Sequence, residues 1–169
     1  NTYRNSIASA DTKELQLPQP VSFVAGGNDG CLANLGCGAL TADVAVLTTG
    51  TSGAIRVTIP KPQTGGAQGL FRYILCDDYY VTGGPVNNGG IVLEWFQRNF
   101  LPSVKDVSAM LDLAAQSEPG AKGLLFLPYL LGERAPVWDE DAAGVFSGIK
   151  IHHTTADFAR AVVEGISFS

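Results

Sequence analysis

Asp29 stands in Gly26-Gly27-Asn28-Asp29-Gly30, directly after the apolar run Val21-Ser22-Phe23-Val24-Ala25. A carboxylate at the C-terminal end of a strand lies where α/β domains place reactive groups. Neighbouring glycines let a substrate approach the backbone, and such an Asp can accept a proton from a substrate hydroxyl. The same residues also fit an Asx turn, or Asp29 as the cap of the following helix. Thr49-Gly50-Thr51-Ser52-Gly53 joins two predicted strands. Its hydroxyls and backbone amides can cradle phosphate oxygens, although a plain hairpin tip reads the same way. It lacks the Gly-Lys-Ser/Thr of a P-loop and contains no basic residue, so amides would do most of the binding. Gly83-Gly84-Pro85-Val86-Asn87-Asn88-Gly89-Gly90 leads into a helix. A glycine-rich approach to a helix N-terminus can hold a phosphate or nucleotide, or simply begin the helix.

Other candidates carry less chemistry. Glu133-Arg134 reads as an internal ion pair in an apolar stretch. His152 and His153 are adjacent, so on a helix they would point about 100° apart; they read as solvated turn residues. They supply no Ser-His-Asp or Cys-His arrangement. Cys31, Cys37 and Cys76 form no C-x-x-C pair, which argues against a disulfide framework or a zinc site. They read as small buried thiols in a reducing compartment.

The elements that would position these groups follow from periodicity. Residues 1–20 are a mixed polar lead-in. Val21–Ala25 is a buried strand, and Cys31–Leu40 a short helix of small residues. Val44–Thr48 and Ala54–Ile59 form a hairpin, the second strand alternating in period two until Pro60. Gly65-Gly66 marks a loop. Leu70–Cys76 and Tyr79–Thr82 are a further strand pair around Asp77-Asp78. A helix follows with Val92, Trp95, Phe96 and Phe100 on one face. The next spans Asp106–Gln116, with Val107, Leu111 and Ala114 inward. Leu124–Leu127 is a buried strand and Val145–Ile149 a short one. A last helix, capped at Thr154 or Thr155, turns Phe158, Ala161, Val162 and Ile166 to one side. Strands first and helices after, without internal repeats, indicate α/β or α+β.

Composition narrows the classes of function. The chain has 169 residues, 11 Lys plus Arg and 16 Asp plus Glu, a formal net charge of −5. No basic run is present, which argues against nucleic acid and against an anionic membrane surface as partners. No apolar run reaches the ~18–20 residues of a membrane span. Twenty glycines and only 16% charged residues suggest many tight turns and some surface covered by another domain. The chain starts at Asn1 rather than Met, and its last helix has no stop signal. Both features suggest a piece of a longer protein.

Taken together, the motifs resemble the FGGY family of carbohydrate kinases, and within it the gluconate kinases. Gly144, Phe146, Gly148 and Ile149, a seven-residue gap, then Asp157, Phe158, Ala161, Val162, Val163 and Glu164 match that family's second signature. Phe126-Leu127-Pro128-Tyr129 with Gly132-Glu133-Arg134-Ala135-Pro136 and Asp139 resembles its FLPYLxGERxP block. Gly27-Asn28-Asp29 resembles the strand end bearing its catalytic Asp, and Thr49-Gly50-Thr51 its phosphate turn. The resemblance implies a ribonuclease H-like, actin-like α/β fold, a mixed sheet flanked by helices. Residues 21–169 would be part of the C-terminal kinase domain. It implies ATP and Mg2+ as cofactors, with Asp29 as general base, Asn28 beside the sugar, and Gly50, Thr51, Gly90 and Glu94 at the nucleotide. The substrate would be a sugar or sugar acid, D-gluconate first, with xylulose or another sugar as the alternative. A non-catalytic actin-like binding domain is the reading from another class. The resemblance further implies a cytoplasmic protein, a homodimer as one assembly, and an N-terminal domain, not in this chain, supplying a magnesium-linked Asp and most sugar contacts. This chain alone would then be inactive.

Overall fold

A computed structural model describes residues 4–5, 14, 16, 23–24, 26–61, 69–76 and 78–169. Most of the lead-in, Val21, Ser22, Ala25, the Gly65-Gly66 loop and Asp77 lie outside the described residues. The short strands β1 (Arg4–Asn5) and β2 (Phe23–Val24) pair antiparallel. Helix α1 (Asp29–Gly36) follows. It begins two residues before the expected start and ends earlier. The Asn28 side chain accepts from the Gly30 N–H at 3.0 Å, so Asn28 is the cap and Asp29 the first helical residue.

The central sheet contains β3 (Ala45–Thr49), β4 (Gly53–Pro60), β5 (Phe71–Cys76) and β6 (Tyr79–Val86), in the order β3-β4-β6-β5. Every described strand pair is antiparallel, so the described residues hold only the antiparallel part of the expected mixed sheet. Strand β6 corrects the sequence reading. It does not stop at Thr82 but continues through Gly83, Gly84, Pro85 and Val86, paired with β4 throughout. A Cβ on Gly83 would lie 2.1 Å from the Ile55 carbonyl oxygen. This glycine therefore permits strand contact rather than ligand approach. Pro85 stands beyond the last β5 partner, which is opposite Gly83, so its missing N–H breaks no ladder there.

Helix α2 (Gly90–Phe100) buries Val92 and Phe96 as its apolar spacing predicts, while Phe100 is 56% exposed. Helix α3 (Val107–Ala114) is capped by Asp106, which accepts from the Ala109 N–H at 2.9 Å. Its inward residues are Met110 and Ala114; Leu111, expected inside, is exposed. The face is turned by one position because Met110 fills the core against α2 and the last helix. Strand β7 (Leu125–Leu127) buries only Phe126 and exposes Leu125 and Leu127, so it is covered on one face rather than two. It pairs with β8 (Val145–Ser147), which places the Phe126 and Phe146 rings 4.4 Å apart. Helix α4 (Thr155–Phe168) starts with a capping box between Thr154 and Asp157. Val92, Phe96, Met110, Leu124, Phe126, Ala159 and Val162 form the main buried cluster.

Candidate nucleotide and sugar site

Thr49 and Gly53 close the β3–β4 hairpin as its last paired residues, leaving Gly50, Thr51 and Ser52 as the tip. This tip is bonded to the start of α2. The Gly90 N–H donates to the Gly50 carbonyl at 2.7 Å, and the Gly89 and Ile91 N–H groups donate to the Thr51 carbonyl at 3.2 and 3.4 Å. A Cβ on Gly89 or Gly90 would fall 2.8 or 2.9 Å from the Gly50 carbonyl oxygen. Both glycines thus permit the helix to dock on the turn. Gly50, Thr51 and Gly90 are brought together as expected, and Glu94 is exposed one helical turn further on. The expected use of the glycines is corrected: the α2 N–H groups that would face an anion are spent on turn carbonyls. The groups left exposed for phosphate are those of Thr51 and Ser52.

Asp29 is exposed at the start of α1. Its Oδ1 accepts from the Gly30 N–H at 2.7 Å. Beside it lies Arg56 of β4, which sequence reasoning passed over as one position of an alternating strand. A Cβ on Gly30 would lie 2.6 Å from the Arg56 Nε, so the guanidinium packs on the first turn of α1. Its Nη1 donates to Thr48 Oγ1 at 2.9 Å. Thr48 precedes the turn by two residues. Arg56 therefore spans from the helix bearing Asp29 to the strand leading into Gly50 and Thr51. A lone cation on the face of an otherwise apolar strand was the available signal.

The Glu133-Arg134 ion pair does not form. Glu133, only 2% exposed, accepts from the Asn87 N–H at 2.8 Å, Asn88 Nδ2 at 2.9 Å and the Arg134 N–H at 2.7 Å. The Arg134 guanidinium instead donates to the Val86 carbonyl at 3.0 Å. Asn88 is fully buried and also donates to the Gly132 carbonyl at 2.7 Å while accepting from the Leu131 N–H at 3.1 Å. This network fastens residues 131–134 to Asn87-Asn88, immediately ahead of α2. The block supports the helix that carries Gly90 and Glu94.

Of the thiols only Cys31 is buried; Cys37 and Cys76 are exposed, against expectation, at a helix end and on an edge strand. Burial pushes the Cys31 thiol up. His152 is exposed in a turn, as expected, and the His153 Nδ1 accepts from the Lys150 N–H at 3.0 Å. Among the described residues no group of three His, Cys, Asp or Glu side chains could hold a metal. The donors at Thr51 and Ser52 fit nucleotide phosphates, whereas the described residues form no magnesium site of their own.

An antiparallel hairpin bonded at its tip to a helix N-terminus, with helices packed on the sheets, makes the described residues an α/β domain. Residues 45–169 match the FGGY family of carbohydrate kinases, C-terminal domain. The chain is 44% identical over 156 residues to a gluconokinase of Bacillus subtilis, covering 87% of this chain and 30% of that protein. It is 38% identical over 171 residues to a xylulose kinase of Staphylococcus epidermidis, covering 100% of this chain and 34% of that protein. The solved gluconate kinase of Lactobacillus acidophilus superposes with a TM-score of 0.87 at 38% identity, covering 99% of this chain and 34% of that one. The chain belongs to the FGGY family of carbohydrate kinases, and it spans about a third of the length of the relatives it matches.

Proposed function

We infer that the protein carrying this chain transfers the γ-phosphoryl group of ATP to a hydroxyl of a sugar or sugar acid, D-gluconate first, giving 6-phosphogluconate. The observation that carries this reading is the hydrogen-bonded union of the Gly50–Thr51 turn with Gly90 of α2, with Asp29 exposed at the start of α1. Phosphoryl transfer needs positioning, charge neutralisation and a base at the nucleophile. Asp29 accepts the proton of the attacking hydroxyl, with Asn28 alongside the sugar. The exposed Thr51 and Ser52 hold the phosphates, Gly50 shapes the turn that presents them, and Gly90 and Glu94 flank the nucleotide. Magnesium, when bound, would neutralise the phosphates through their own oxygens, with ligands from the rest of the protein. The greater identity to a gluconokinase than to a xylulose kinase supports the acid. None of the described helices is long and apolar enough to cross a membrane.

The test is Asp29→Asn in the full-length kinase. Turnover falls about 100- to 10,000-fold, the usual worth of a positioned base, while KM for the sugar changes by no more than a few-fold. Undiminished turnover removes Asp29 from its role. A panel of gluconate, xylulose and glycerol under one ATP-coupled assay decides the substrate.

A further inference from the structure

We propose that Arg56 is a positioning residue: it ties the first turn of α1 to strand β3 and so fixes the Asp29 carboxylate relative to the Gly50–Thr51 turn. This rests on the kinase reading above, in which Asp29 is the base, and adds the residue through which that base is held. Helix α1 needs such a tie. It has 8 residues, and those it buries are Gly30, Cys31 and Asn34. Its leucines, Leu32 and Leu35, are 45% and 47% exposed. A helix this short depends on packing for its place and its stability, yet little apolar side chain anchors this one to the sheet. Polar contacts with β4 take that part. Toward the end of α1 the fully buried Asn34 donates from Nδ2 to the Arg56 carbonyl at 3.5 Å and to Thr58 Oγ1 at 3.4 Å.

At the first turn the contact is the Arg56 side chain. Strand β4 alternates across the sheet, so Ala54, Arg56 and Thr58 share the face that meets α1. A Cβ on Gly30 would lie 2.6 Å from Arg56 Nε, 2.9 Å from Cζ and 3.1 Å from Nη2. The atoms nearest that position all belong to the guanidinium, which therefore rests on the backbone one residue after Asp29. Its Nη1 donates to Thr48 Oγ1 at 2.9 Å, and that hydroxyl donates in turn to the Ala54 carbonyl at 3.4 Å. Both bonds orient Thr48, so Arg56 has a fixed acceptor. Thr48 pairs with Ala54 in the β3–β4 ladder, two residues before Gly50. One planar side chain thus bridges the turn that begins with Asp29 and the strand that runs into Gly50 and Thr51. A rigid fork holds such a geometry better than a flexible ammonium would.

The experiment uses the full-length kinase with ATP and whichever of gluconate, xylulose and glycerol it turns over best. It reads kcat, both KM values and thermal melting. Arg56→Ala lowers kcat about 10- to 100-fold, as a misplacement on the order of 1 Å does, and changes neither KM by more than a few-fold. Added to Asp29→Asn, Arg56→Ala lowers the residual rate less than about 2-fold, because residues that act as a unit are not additive. Gly30→Ala, whose methyl displaces the guanidinium, lowers kcat about 10-fold in the wild type but less than about 2-fold in Arg56→Ala, as expected of two groups in contact. Additive losses in either pair overturn the proposal, and so does a loss borne by KM, which means contact with a substrate. An unchanged kcat in Arg56→Ala, whatever its Tm, overturns it and leaves the kinase reading intact. If Arg56→Ala does not fold, Thr48→Val, which removes only the acceptor, decides: a lowered kcat at unchanged KM supports the proposal and an unchanged kcat overturns it. Undiminished turnover in Asp29→Asn removes the base reading itself, and the positioning role of Arg56 with it.

Discussion

Glu133 and Gly83 are the residues whose roles changed most between sequence and structure. The sequence offers Glu133 an obvious partner, the adjacent Arg134, but backbone geometry turns the two side chains apart. Its actual partners at Asn87 and Asn88 lie some 45 residues earlier, as their hydrogen bonds record, and no local pattern reveals that distance. Replacing Glu133 by Gln puts an amide N–H against N–H donors in a buried site. The expected loss is about 2 kcal/mol of stability, read from the denaturant midpoint, with a raised KM for ATP because α2 is no longer held at its root. Gly83 looked like part of a ligand-approach loop because glycine doublets serve both ends. In Gly83→Ala the new methyl meets the Ile55 carbonyl of a paired strand, and the sheet must open. The expected cost is at least about 2 kcal/mol, seen as a lowered midpoint while Gly84→Ala, which meets only side chains at 3.0 Å and beyond, costs less.

At the scale of elements, caps and apolar spacing were legible, because both are local. Thr154 begins α4 and Asp106 begins α3 as their side-chain chemistry requires. The orientation of α3 was not legible, since Val107, Leu111 and Ala114 and the pair Met110 and Ala114 are equally periodic faces, and only the neighbouring helices choose between them. The cap of α4 also gives a pH dependence. The Ser117 hydroxyl, then the Thr154 N–H, hold the Asp157 carboxyl far below the usual carboxylate range, with Lys122 adding to them. Burial pushes Glu164 up, but the Gly120 N–H and Arg160 outweigh it, and its value is lowered too. In both cases the unfolded chain binds protons more readily than the folded one. Their stabilisation is therefore full above the ordinary carboxylate pKa of about 4 and is lost as pH falls below it. Thermal melting from pH 6 down to pH 3 should show a falling Tm. Asp157→Asn should start lower at pH 6 and fall less steeply. An equal slope in both would assign the acid sensitivity to other groups.

For the molecule as a whole, the sequence conveyed the family and the hairpin of β3 and β4, because both reside in contiguous motifs. It did not convey how the pieces meet, since the docking of α2 on the turn and the placing of Arg56 against Gly30 depend on residues far apart in the chain. The site they form is open: Asp29, Gly50, Thr51 and Glu94 are all exposed. Bulk water reaching these groups weakens every charge interaction that a phosphoryl transfer needs, and it competes with the sugar hydroxyl for the phosphoryl group. Effective transfer also requires both substrates to be held in line, which one exposed surface cannot do for two small molecules. The 169-residue chain, supplied with ATP and gluconate, is therefore expected to release no sugar-dependent ADP in a coupled assay, while the full-length kinase turns over under the same conditions. Addition of Asp29→Asn to the full-length protein should return its rate toward that of the chain alone. Measurable turnover by the 169 residues alone would mean that the described surface organises both substrates unaided, and that the openness of the site carries no catalytic cost.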